Sequence, residues 1–419
     1  MLNFSPEGFD RMASVTIADI QAAARLIDGK ILRTPMFPAP RLSALTGAEV
    51  FVKYDNMQVT GSFKERGALV KLASLTQAER ERGVIAMSAG NHAQAVAYHA
   101  ARMGIPATIV MPVTTPFVKV ANTRAHGARV ILQGETLADA QGLCEALIAS
   151  DNLTLVHPYD DAQVIAGQGT CALEMLDAVP DLDALIVPVG GGGLISGMAI
   201  AACARKPGIE IIGAEAALYP SVWNALHRDN LPIGGPTLAE GIAVKNVGAL
   251  TLAVIRDLVS RIILVGESDL ERAVNAFAML QHTMAEGAGA AGLAALLAQP
   301  SGFAGRKVGL VLCGGNIDAR ILAAIMVREL ERDCRILAFR LTASDRPGIL
   351  GQLATRLGEL EANILEVSHR RLMLDVPAKG VSIDFTVETR DRAHAEAILT
   401  ALARDGFALA RLNASGAAA

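Results

Sequence analysis

The chain has 419 residues, 52% of them hydrophobic and only 4% aromatic, enough to bury two or three domain cores of about 150 residues each, which excludes intrinsic disorder. A formal net charge of −4, with no long basic stripe, argues against nucleic acid as a partner. Three stretches carry no formal charge, Gly83–Ala101, Ala184–Ala204 and Gly287–Gly305, but a spanning helix needs about 20 mostly apolar residues and each stretch is broken by polar residues, proline or glycine, so no membrane partner is expected.

In chain order, the opening MLNFSPEGFDRMA holds acidic residues and no apolar run, so no secretory leader is expected. From Ile17 to Arg328, short Val/Ile-rich runs alternate with helical patterns. Strands are predicted at 49–54, 83–88, 107–112, 129–133, 153–158, 184–189, 210–215, 261–265 and 307–313. Most lack polar alternation, as strands buried on both faces of a parallel sheet do. Helices are predicted at Asn91–Met103, Leu194–Lys206, Glu267–Gln281 and Ala285–Ala298. The class is α/β, doubly wound. The charged stretch Glu329–Arg335 reads as a linker. Beyond it the order strand, helix, strand, strand, helix, strand spans about 75 residues, a ferredoxin-like α+β module with a break at Pro377–Gly380. The end, Ser415–Ala419, is expected to fray. The five cysteines show no metal or redox spacing, which suits reduced thiols in a cytoplasm, and no metal site is expected.

Four clusters could carry chemistry. The first is Thr60–Ala68, TGSFKERGA, in a chain with nine lysines against 29 arginines. Lysine, unlike arginine, can lose its proton and condense with an aldehyde. The second is Ser88-Ala89-Gly90-Asn91-His92-Ala93-Gln94, where a helix start offers amides to a carboxylate. The third, Gly190-Gly191-Gly192-Gly193-Leu194, follows a buried strand and suits a phosphate, although it matches neither the dinucleotide fingerprint nor the P-loop. The fourth is Cys313-Gly314-Gly315-Asn316. Taken singly, these also read as a solvated lysine, an ordinary N-cap, a tight turn and a core cysteine. Together, at the strand ends where α/β sheets bind ligands, they call for an aldehyde, a phosphate and a ring, which is pyridoxal 5′-phosphate.

GSFKERGA, SAGNHAQ, GGGGL and CGGN, in that order over about residues 15–330, resemble the threonine/serine dehydratases of the tryptophan synthase β-like group. DRPG at Asp345–Gly348 resembles an ACT domain, and a dehydratase body with one such domain resembles the medium-length threonine ammonia-lyases. The resemblance implies a two-lobed PLP fold type II with parallel and mixed sheets over 1–330, its large lobe 1–52 and 159–330 and its small lobe 53–158. An ACT regulatory domain would follow at 336–412.

By the same resemblance, Lys64 carries the cofactor aldehyde and acts as the catalytic base, with Phe63 against the ring. Asn91 bonds the ring 3′-oxygen, Gly190, Gly191, Gly192, Gly193 and Leu194 hold the phosphate, and Cys313 stands by the pyridine nitrogen as a neutral partner. Ser88 and the amides around Gly90, Asn91 and His92 take the substrate carboxylate, and the helix after Glu286 packs beside the ring. Ala89 stands where related racemases carry a second serine, which disfavours racemisation. Glu215 lacks the second acid of their divalent site. An amino-acid effector would bind between copies, at Asp345, Arg346, Pro347, Gly348, Asn363 and Ile364. The implied reaction is elimination from a small β-hydroxy amino acid, threonine first and serine second, in a homo-oligomer (tetramer or dimer). Dehydration of serine alone, of hydroxyaspartate or of an ectoine-pathway intermediate, and a non-catalytic amino-acid sensor, are the alternatives.

Overall fold

In the computed structural model, residues 15–370 and 379–412 are described, and the chain divides into two compact units, Met1–Ile317 and Asp318–Ala419. The predicted N-terminal and C-terminal readings, and the first half of the Pro377–Gly380 break, lie outside the described residues.

The first unit holds two sheets. The larger runs in the order Met36–Pro38, Glu49–Lys53, Lys307–Val311, Ala184–Val189, Glu210–Ala216, Arg261–Val265. All neighbours are parallel except the first strand, antiparallel on the edge, so the sheet is mixed as expected. The smaller runs Arg129–Leu132, Ala107–Met111, Val84–Met87, Thr154–Leu155, all parallel. Every residue of Ala184–Val189 is buried, the physical reason its run shows no polar alternation.

Among the described residues no helix is long and apolar enough to cross a membrane. The uncharged stretches are instead the packed interior. Helix Ala162–Ala178 crosses helix Gly193–Arg205 through Gly169 and Gly197, and a Cβ on Gly197 would run into the Ile165 carbonyl and the Gly169 backbone. The abundant small residues thus let helix backbones approach one another, rather than facing lipid.

One device was invisible in the sequence. Behind the Lys64–Ala73 helix, Arg66 is fully buried and bonds both carboxylate oxygens of Asp55 (2.7 and 2.9 Å) and both of Glu174 (2.7 and 2.9 Å). Lys53 Nζ adds a 2.5 Å bond to Glu174, and Thr34 Oγ1 donates to Asp55 at 2.6 Å. Asp55, an unremarkable loop acid by sequence, is the anchor of that helix.

The second unit begins with helix Ala319–Arg332, whose last turn contains the residues read as the start of a linker. Glu329 is buried there and pairs with Arg332, so the charges of ELER close a helix instead of marking a flexible join. A four-stranded antiparallel sheet follows, ordered Asn363–Arg370, Gly380–Glu388, Ile336–Ser344, Ala408–Arg411, with helices Ile349–Glu359 and Arg392–Arg404. This is the predicted ferredoxin-like order. Its own core includes Phe339 stacked on Phe385 with ring centroids 5.7 Å apart.

Candidate active site

All four sequence clusters sit at carboxyl ends of parallel strands. Leu310 pairs with Ile186, so carrying the register forward sets Cys313 level with Val189, next to Gly190. Ser88 follows the end of Val84–Met87, and His157-Pro158-Tyr159 follow Thr154–Leu155. The chain therefore brings the glycine loop, the Ser88–His92 turn and the Cys313 loop to one region although they are far apart in sequence.

The first and fourth clusters are zipped together. Phe63 N donates to the Cys313 carbonyl at 3.0 Å, Gly315 N to the Gly61 carbonyl at 3.0 Å, and Asn316 Nδ2 to the Thr60 carbonyl at 2.8 Å. Ser62 and Gly314 form an isolated antiparallel bridge between them. Phe63 packs, partly buried, in the same apolar cluster as Val189, Leu194 and Cys313. The Cys313 thiol lies 3.9 Å from the Ala288 carbonyl, and burial first, then the Glu286 carboxylate, raises its pKa well above the usual value. It stays a neutral thiol.

Lys64 opens its helix directly after Phe63. Its Nζ donates to the Pro158 carbonyl at 2.7 Å and lies 5.1 Å from the Phe63 ring centre. Burial pushes its pKa down to about 8, against the opposing pull of Cys313 and Glu286. The amine is thereby moved toward its neutral, nucleophilic form.

The second cluster joins through Asn91, the first residue of helix Asn91–Arg102. Its Oδ1 accepts from Asn316 Nδ2 at 2.8 Å and its Nδ2 donates to Glu286 Oε1 at 2.6 Å. This locks the amide's orientation and leaves one side-chain N–H of Asn91 without an acceptor among the described residues. The N–H groups of Ala89, Asn91, His92 and Ala93 find no acceptor among the described residues, whereas the Gly90 N–H already donates to Ser88 Oγ at 3.2 Å. The His92 ring does not face a ligand: its Nε2 meets the Val156 carbonyl at 2.8 Å, and burial drives its pKa to about 3. Only the His92 amide is available, at a helix start that favours an anion.

In the third cluster Gly192 takes φ +94°, left-handed backbone that suits glycine, and caps helix Gly193–Arg205. A Cβ on Gly191 would overlap the Tyr159 ring. The N–H groups of Gly191, Gly192, Gly193 and Leu194 have no acceptor among the described residues. Thr251, buried beneath, donates from Oγ1 to the Gly191 carbonyl at 2.7 Å and fixes the loop. Four free amides at a helix start, a side-chain-free loop and a near-neutral lysine fit a ring that carries an aldehyde and a phosphate.

Glu286 and Asn316 were not assigned polar roles from the sequence. Asn316 closes the CGGN run named from the sequence, but the run shows no partner for its amide. Glu286 precedes an uncharged stretch as its only acid and serves as N-cap, which moves the helix start from the expected Ala285 to Gly287. Burial raises the Glu286 pKa to about 7. Glu215 caps another helix, accepting from Val222 N (2.7 Å) and Trp223 N (2.9 Å), and no cluster of three or more metal-ligating side chains exists among the described residues.

The residues named for an effector are not gathered within one chain. Asn363 pairs with Glu388 at one end of the second unit's sheet, beside Ile336, whereas Asp345 follows Ser344 at the other. Eight residue steps of strand separate those ends, about 26 Å at about 3.3 Å per step.

The family described as pyridoxal-phosphate dependent enzyme matches residues 27–314. An L-threonine ammonia-lyase of Thermotoga maritima is 40% identical over 395 residues, covering 94% of this chain and 98% of that protein. The structure of maize serine racemase aligns with TM-score 0.70 and 33% identity over 76% of this chain and 99% of its own. The processed form of threonine deaminase isoform 2 from Solanum lycopersicum aligns with TM-score 0.70 and 33% identity over 74% of this chain and 86% of its own.

Proposed function

The chain belongs to the pyridoxal-phosphate dependent enzymes, and on that premise we propose that it removes the β-hydroxyl and then the amine of L-threonine, giving 2-oxobutanoate and ammonia, and converts L-serine to pyruvate more slowly. The observation that carries the reading is the buried Lys64 amine, held by the Pro158 carbonyl and shifted toward neutrality, in a unit that also offers two sets of amides without acceptors among the described residues. The near full-length likeness to a threonine ammonia-lyase supports threonine as the substrate.

Bound at this site, pyridoxal phosphate supplies an aldehyde for amines and draws electrons from the bond to the substrate's Cα hydrogen. The chain's residues do the rest. Gly191 to Leu194 would hold the phosphate through their N–H groups and the helix dipole. Ser88 and the amides of Asn91 and His92 would hold the substrate carboxylate and so orient Cα. Lys64, released by the substrate amine, takes the Cα proton at Nζ and can return it to the departing hydroxyl oxygen. Cys313, held as a neutral thiol, cannot keep a ring nitrogen protonated as a carboxylate would, which favours prompt elimination. Water then replaces nitrogen at Cα, and ammonia leaves.

The second unit is read as an ACT domain that senses an amino acid between copies of a dimer or tetramer. The five free cysteines support a reducing, cytoplasmic setting. Measuring 2-oxo acid formed from L-threonine, L-serine and 3-hydroxyaspartate tests the substrate. Threonine is expected to give the highest kcat/KM, and turnover of another of these without threonine would sink the assignment. Inhibition by isoleucine would point to a biosynthetic role, and its absence to a catabolic one.

A further inference from the structure

Glu65 is a buried acid that the reaction leaves without a role. It follows Lys64 directly, is fully buried, and accepts the Thr60 N–H on Oε1 at 2.5 Å. Its Oε2 faces His99 Nε2 at 3.4 Å, and neither atom has a hydrogen bond elsewhere among the described residues. The Tyr98 ring meets His99 edge-on, with centroids 4.9 Å apart, and fixes the imidazole. A carboxylate so far from water is retained only where its partners compensate for the lost hydration.

What it grips leads across the site. The Thr60 carbonyl accepts from Asn316 Nδ2 at 2.8 Å. The same nitrogen donates to Asn91 Oδ1 at 2.8 Å, and Asn91 in turn donates to Glu286 at 2.6 Å. Thr60 is therefore held through both peptide units that flank it, its N–H in the Val59–Thr60 unit by Glu65 and its carbonyl in the Thr60–Gly61 unit by Asn316.

We propose that Glu65, backed by His99, is a positioning residue: by fixing the backbone at Thr60 it sets Asn316, and through Asn316 the side-chain amide of Asn91. The inference rests on the assignment of Lys64 and Asn91 to the cofactor site. Without Glu65 the Thr60 N–H is orphaned, the Val59–Thr60 peptide can turn and shift the Thr60 Cα with the carbonyl that follows it, and Asn316 loses the fixed acceptor that aims its second hydrogen at Asn91. Lys64 keeps its own bond to Pro158. The loss should fall on cofactor affinity.

The test strips the full-length chain of cofactor and titrates pyridoxal phosphate back, following visible absorbance, in wild type, Glu65→Ala, Asn316→Ala and the double variant. Each single variant should weaken binding by about tenfold or more, the scale that a small misplacement brings. Because both act along one route, the double variant should match Asn316→Ala within about twofold instead of multiplying the two losses. Glu65→Gln, which keeps an oxygen for Thr60, should bind nearly as wild type does. Unchanged affinity in Glu65→Ala, multiplicative losses in the double variant, or a Glu65→Gln loss as large as that of Glu65→Ala would each overturn the proposal. Should Glu65→Ala fail to fold, His99→Gln replaces it. That variant should weaken binding severalfold in wild-type background and not at all in Asn316→Ala, and an equal effect in both would overturn the idea. Wild-type protein that takes up no cofactor would defeat the site assignment instead, so the two failures are distinguishable.

Discussion

At the scale of single residues, two side chains of the candidate site have environments that move their proton affinities toward neutrality. The base role proposed for Lys64 requires an uncharged amine, and burial lowers its pKa to about 8. The limiting rate at saturating threonine should therefore climb with pH and level off above about 8. A kcat flat from pH 6 to 9 would show that another group takes the proton. Glu286 is shifted the other way, up to about 7 from an ordinary 4.5. An acid whose folded pKa is raised gives most stability while protonated in both states, and loses it as pH climbs from about 4.5 to about 7. Glu286→Gln keeps an acceptor for Asn91 and removes that titration. Its Tm advantage over wild type, measured without cofactor, should grow between pH 5 and pH 8, and equal differences at both would contradict the assignment. Lys64, Asn91 and Cys313 were legible because each sits in a short string with glycine or serine beside it. Glu286 and Asn316 were harder to find because their partners in Asn91 lie 195 and 225 residues away in sequence.

Elements explain why the site is rigid. The strand runs were readable because residues buried on both faces have no reason to alternate, and Glu267–Gln281 falls where its periodicity puts it. Helix contacts were not readable, since Gly169 against Gly197 depends on which surfaces meet. Nor was the buried Arg66 cluster, because its charges resemble those of any solvated helix start. Arg66→Met should show what that cluster does: the buried Asp55 and the partly buried Glu174 lose their main cation, a change that destabilises by roughly 3–5 kcal/mol. Chemical denaturation monitored by circular dichroism would register the fall. A variant as stable as wild type would mean that Lys53 alone suffices. Gly191→Ala is the sharper probe of the glycine loop proposed to hold the phosphate. Its Cβ has nowhere to go but into Tyr159, so cofactor affinity should drop by about tenfold or more, as misplacement by a fraction of an ångström does.

For the molecule as a whole, each unit has its own apolar core, one family of clusters within Met1–Ile317 and a separate one built on Phe339 and Phe385. A chain ending at Ile317 should therefore take up cofactor with unchanged affinity and still form 2-oxo acid from threonine, while losing any response to amino-acid effectors. Failure to bind cofactor would show that the second unit is needed for the first to fold.

The placement of Asp345 and Asn363 at opposite ends of one sheet has a further reach. A ligand small enough to be an amino acid cannot touch both within a single chain. Any effector that needs both is a molecular glue between protomers, and mass action then ties its potency to how much enzyme is in the tube. Half-maximal response should shift to higher effector concentration on dilution, and a cell could tune its sensitivity simply by how much of this protein it makes.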